Sequence, residues 1–117
     1  MSKSSVQLTR HDGAVFAVED GGVSIGRHRS NDIILSDPSI SRHHARVWVS
    51  HGSYWIRDEN SAGGTYVNSQ RVQGKQTIRI GDVIQIGNTT LRLDPARSEQ
   101  GLDSITSIPL VWAALGG

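Results

Sequence analysis

Short stretches of alternating apolar and polar residues run through most of this chain, broken every few positions by glycine or small polar residues. In "HARVWVS", Ala45, Val47 and Val49 fall on one side of an extended backbone while Arg46 and Trp48 fall on the other, because successive strand side chains point to opposite faces. In "DVIQIG" the pattern is cleaner: Ile84 and Ile86 need a core, and Val83 and Gln85 share the opposite face. The same reading predicts further strands at Val6–Thr9, Ala14–Val18, Val23–Gly26, Asp32–Ile34, Tyr54–Asp58, Thr65–Val67, Thr77–Arg79 and Thr89–Leu93, with His44–Val49 and Val83–Ile86 as the two just described. Turn signals such as "HDG", "EDGG", "SDPS", "SHGS" and "NSAGG" separate them. No window in this region has a helical period long enough to compete. Short strands with closely spaced turns predict a sandwich or barrel. The reading is all-β: a single antiparallel β-sandwich in a domain at residues 1–94.

Residues 95–117 break the pattern. "PARSEQGLDS" is a polar, turn-rich linker, and "ITSIPLVWAALGG" is a short apolar tail without charge. The tail is too short to span a bilayer. It packs back on the sandwich, opens a segment of a longer protein, or docks on a partner. Trp48, on a nominally outer face, is expected to pack against a neighbouring loop.

Composition narrows the classes of function. The 117 residues suit one domain with a core, and 36% hydrophobic with 20% charged residues describes a folded chain. A net charge of +1 gives no general affinity for nucleic acid but allows a local basic pocket. The absence of cysteine removes disulfides, thiolate metal sites and cysteine nucleophiles, and it fits a reducing compartment. The N-terminal stretch lacks the apolar core of a signal peptide, so a cytoplasmic location and no membrane insertion are expected.

The chemistry lies in the loops. In "SIGRHRSND", Gly26 permits a close backbone approach and Arg27 supplies a planar fork of donors suited to phosphate, although an isolated exposed arginine is more often a solvated charge. In "SISRHHARV", Ser41 and Arg42 can both address phosphate oxygens; the plainer reading is a surface turn. In "DENSAGGTYVN", adjacent glycines make a tight turn with exposed amides that Ser61 and Thr65 can brace. No Gly-Lys-Ser/Thr follows, so this is not a P-loop. His43 and His44 would point to opposite sides of a strand and cannot share a metal without a bulge, and the other histidines stand in no ligand spacing with them. A Ser41–His44–Asp58 triad can be written on paper, but no nucleophile elbow surrounds the serine. No cofactor, metal or catalytic residue is expected.

Order and spacing add what single motifs lack. Gly26-Arg27, then Ser41-Arg42-His43-His44, then "GGTYVN", then "IRIGDVIQIG" closely resemble the forkhead-associated (FHA) domain over about residues 5–94. The resemblance implies an eleven-stranded β-sandwich that binds phosphothreonine peptides through loops at one end. By this resemblance Arg27 is the main phosphate ligand, Ser41 and Arg42 add hydrogen bonds to the phosphate, and His44 holds the loop in shape. Gly26 and Gly64 serve backbone geometry, while Thr65 and Asn68 brace the third loop, to which Ser61, Ala62 and Gly63 also belong. Two positions depart from the common family pattern: Ala62 and Gly63 replace a hydroxyl residue and an asparagine. The Ala62 amide can still donate to phosphate, but weaker or less peptide-specific binding is expected. Ser69 in place of a frequent glycine reads as a minor change. The implied function is a non-catalytic phosphothreonine-peptide-binding module in Ser/Thr-kinase-linked signalling or regulated assembly, with a kinase or its substrate as partner and no nucleic acid. A phosphate-independent scaffold is the alternative.

Overall fold

A computed structural model of the chain describes residues 6–96. Among them are eleven strands and no helix: β1 (Val6–Arg10), β2 (Val15–Ala17), β3 (Val23–Gly26), β4 (Ile33–Ile34), β5 (Ala45–Ser50), β6 (Ser53–Asp58), β7 (Thr65–Val67), β8 (Gln70–Arg71), β9 (Lys75–Ile78), β10 (Val83–Ile86) and β11 (Thr89–Pro95). They form a six-stranded sheet, β2-β1-β11-β10-β7-β8, and a five-stranded sheet, β4-β3-β5-β6-β9. The expected sandwich is present, with one difference: β4 pairs parallel to β3, so the second sheet is mixed. The linker and tail from residue 97 onward lie outside the described residues, as does the expectation about their docking.

The alternation in the sequence is what closes the sandwich. Leu8, Ile84, Ile86, Leu91 and Leu93 from one sheet meet Ile25, Val47 and Ile56 from the other, all of them fully buried. Each such side chain contributes roughly 1.5–3 kcal/mol on burial. Val83 and Gln85 are exposed, on the face opposite Ile84 and Ile86. Trp48 packs beneath the Glu19–Gly22 turn, where a Cβ on Gly22 would come within 2.9 Å of its own Cβ.

Two elements differ from the sequence reading. Strand β9 covers Lys75–Ile78 rather than Thr77–Arg79. Asp82 ends it: its carboxylate accepts the Arg79 amide at 2.9 Å and its amide donates to the Arg79 carbonyl at 3.0 Å, closing a turn. Strand β8 was not anticipated. It follows a two-residue turn in which Asn68 (φ 50°) and Ser69 (φ 73°) are both left-handed, the requirement of a type I′ hairpin, whose preferred sequence is Asn-Gly.

Register places four connections at one end. Ile25 faces Ala45, Ala45 faces Asp58, and Ile86 faces Thr65. The loops after β3, before β5, between β6 and β7, and the Gly87–Asn88 turn therefore gather there.

Candidate functional site

The first two loops are fastened backbone to backbone. The Arg27 amide donates to the Ser41 carbonyl at 3.0 Å and the His28 amide to the Arg42 carbonyl at 3.1 Å. Asn31, itself buried, spans both loops, its Nδ2 donating to His28 O at 2.8 Å and Arg42 O at 2.7 Å. Gly26 makes this closeness possible, because a Cβ there would lie 2.1 Å from the Arg42 carbonyl oxygen. Arg27 and Ser41-Arg42, fourteen and fifteen positions apart, become neighbours through main-chain bonds.

The side chains at this junction are available. Arg27 is exposed; its Nε donates to the Ile40 carbonyl at 2.8 Å, which anchors the guanidinium and leaves its terminal nitrogens. Arg42 is exposed and its guanidinium makes no hydrogen bond or ion pair to a described residue. The Ser41 hydroxyl accepts the Ala62 amide at 2.9 Å, which leaves its own proton free to donate outward. The Ala62 amide, expected to face phosphate, is therefore directed at Ser41. His28 and His43 lie against each other at the same rim, with ring centroids 5.5 Å apart and planes tilted by 32°.

His44 supports this arrangement from below. It is 0% exposed. Its Nδ1 accepts the Ser41 amide at 3.0 Å, so the proton is on Nε2, which donates to the Gly64 carbonyl at 2.8 Å. Its backbone joins Ile25 and Glu59. One ring thus joins the second loop to the third. The paper triad does not assemble: the Ser41 hydroxyl is bonded to Ala62, and the His44 ring to two backbone groups.

The third loop turns around Asp58, which sequence reasoning had considered only as a triad acid. Its carboxylate accepts the Ser61 hydroxyl and amide and the Thr65 hydroxyl, the last at 2.7 Å. Burial pushes this carboxyl up, but the hydrogen bonds from Ser61 and Thr65 outweigh it and hold it below its ordinary value. Ser61 in turn accepts the Gly64 amide at 2.9 Å. Gly64 needs its glycine, at φ 86° with the Arg71 Nε 3.1 Å from where a Cβ would be. Gly63 is different: a Cβ there would meet only the Ser39 carbonyl at 3.8 Å. Asn68 is not at this loop. It sits at the other end of β7, bonded to Val83 and Asp82, and braces the β7–β8 turn.

Two further residues close the end. Asp37 accepts the Ser39 amide at 2.9 Å and the Asn88 amide at 3.0 Å, drawing the β10–β11 turn onto the second loop. Hydrogen bonds from Ser39, then Asn88, hold its carboxyl below the usual range. Beside this contact lies an open cleft of about 330 Å³ lined by Gly63, Tyr66, Ser69, Gln85 and Gly87. Among the described residues, no three His, Asp or Glu side chains converge as metal ligands would.

These features define a class: a two-sheet β-module whose braced loop end carries exposed guanidinium and hydroxyl donors. The profile of the FHA domain matches residues 23–87, and the chain belongs to that family. It is 38% identical over 79 residues to the oxoglutarate dehydrogenase inhibitor of Corynebacterium glutamicum, covering 68% of this chain and 54% of that protein. It is 37% identical over 79 residues to the glycogen accumulation regulator GarA of Mycolicibacterium smegmatis, covering 68% and 49%. The chain thus spans about half the length of these relatives. Among solved structures it resembles Mycobacterium tuberculosis EmbR in complex with a low-affinity phosphopeptide, with a TM-score of 0.78 at 27% identity over 86% of this chain and 27% of that one. The FHA domain of the CT664 protein from Chlamydia trachomatis superposes with a TM-score of 0.74 at 29% identity, covering 80% and 100%.

Proposed function

We propose that this chain binds phosphothreonine-bearing segments of partner proteins at the loop end and makes or breaks no covalent bond there. The observation that carries this reading is the junction of Arg27, Ser41 and Arg42, where two exposed guanidinium groups and a free hydroxyl proton are held together by backbone bonds. A phosphothreonine brings about −1.5 to −2 charges and three strong acceptor oxygens. Charge-assisted bonds from Arg27 and Arg42 would contribute roughly 1.5–3 kcal/mol each, and Ser41 adds direction. Membership of the FHA family, with a similar solved structure in complex with a phosphopeptide, supports a partner in Ser/Thr-kinase signalling, either the kinase itself or a protein it phosphorylates, in the cytoplasm.

A calorimetric titration of phosphothreonine peptides, each with its unphosphorylated twin, tests the reading. The phosphorylated form should bind at least tenfold tighter, and Arg27→Ala should remove most of that difference. Equal binding of the twins would sink the proposal; undiminished binding in Arg27→Ala would place the phosphate elsewhere. One feature favours the scaffold alternative: Ala62 and Gly63 offer no side chain to grip a peptide.

A further inference from the structure

The outer face of the five-stranded sheet carries an arrangement that the phosphate end does not use. Arg46 on β5 stands directly opposite Arg57 on β6, and Arg57 directly opposite Lys75 on β9. Their neighbours Val47 and Ile56 point into the core, so all three cations share the outer face. Like charges in facing positions, with Cβ atoms about 4.5–5.5 Å apart, destabilise a sheet. The row is only partly offset: Glu59 pairs with Arg57 at 4.0 Å, and Arg46 donates to the Gly21 carbonyl at 2.7 Å. Two residue pairs further along, on the same face, Trp48 and Trp55 stack across the strands with centroids 6.2 Å apart and planes 12° from parallel. Lys75 lies over the Trp55 ring at 5.4 Å. An open cleft of about 220 Å³ is lined by Arg46, Trp48 and Arg57 together with one acid, Asp20.

We infer that this face is a second interaction surface, separate from the phosphate site, that takes an acidic segment of a protein partner. Arginine and tryptophan are among the side chains that most often dominate binding energy at protein interfaces, and the cationic row, three positive groups against Glu59 and Asp20, keeps an excess of positive charge complementary to aspartate and glutamate. Single-stranded nucleic acid fits less well. Base stacking needs free ring faces, whereas Trp48 and Trp55 stack on each other and Lys75 lies over the Trp55 ring.

The full chain would be titrated with an unphosphorylated Asp/Glu-rich dodecapeptide, with oligo-dT of the same length, and with phosphatidylserine vesicles, following the indole Nε1–H resonances of Trp48 and Trp55. The peptide should shift both signals and bind at least tenfold tighter than either other polyanion. The variant Arg57→Glu should lose at least tenfold in peptide affinity without a lower melting temperature, because reversing the middle charge turns the like-charged row into an alternating one. Arg27→Ala should leave peptide binding unchanged. Binding that survives Arg57→Glu, that is lost in Arg27→Ala, or that is matched by oligo-dT or vesicles overturns the inference.

Discussion

His44→Leu is the most informative single change at the loop end, because it keeps most of the buried volume and removes both polar contacts. Two backbone groups lose their partners: the Ser41 N–H, which is half-buried, and the Gly64 carbonyl, which is buried. An orphaned buried polar group costs about 1–3 kcal/mol. Water can reach the Ser41 amide, which puts it near 1 kcal/mol, while Gly64 belongs near 2 kcal/mol on the same scale. A further penalty of up to about 1 kcal/mol comes from the change of shape in a packed site. The sum is about 3–4 kcal/mol, a large share of the roughly 5–15 kcal/mol available to a domain. With a urea m-value near 1.5 kcal/mol/M, the unfolding midpoint should fall by about 2–2.7 M at unchanged m. Phosphothreonine-peptide affinity, measured where the variant is still folded, should fall at least tenfold, since His44 sets the relation of Ser41 to the third loop. A stability loss below about 1 kcal/mol would refute the reasoning, as would an unchanged peptide affinity.

Three other changes follow from the same geometry. Asp58→Asn should cost about 2 kcal/mol at neutral pH by weakening the bonds from Ser61 and Thr65. Because the folded Asp58 carboxyl is below its ordinary value of 3.8, its stabilisation is present above that value and lost as pH falls through the folded one, so urea unfolding from pH 7 to pH 2 should show a shallower acid loss in the variant. Ser69→Gly should raise stability by about 0.5–1 kcal/mol, read as a higher melting temperature, because Ser69 is held at φ 73° where glycine is at ease; a fall would mean that the Ser69 side chain does more than complete the turn. Gly63→Asn should fold normally, since its Cβ position is open, and should tighten phosphopeptide binding about fivefold in calorimetry through one added hydrogen bond of about 1 kcal/mol to the peptide.

What the sequence revealed, and what it hid, follows from the range over which each signal acts. Ile84 and Ile86 were readable because a period of two is local, and their partners across the sheet did not need to be known. Strand β9 was displaced because "TIRI" carries the same local signal. The Asp82 turn takes Arg79 out of the ladder and leaves Ile80 48% exposed. Asp58 was readable in principle, since an acid three residues before a serine is a turn signature, yet its bond to Thr65 appears only once the loop has closed. The Asp37–Asn88 contact joins residues far apart in sequence and has no local signature at all. Arg27, Ser41 and Arg42 stand out in the sequence only through the order and spacing of several motifs together, each of them weak alone. The row Arg46–Arg57–Lys75 shows the same limit most clearly. Alternation assigns each residue to an outward face, where a single cation is ordinary. Only register makes them neighbours, and a slip of one residue in β6 would send Arg57 to the core side and break the row. The charge concentrated on that face is thus a property of strand pairing, which a single sequence does not write down.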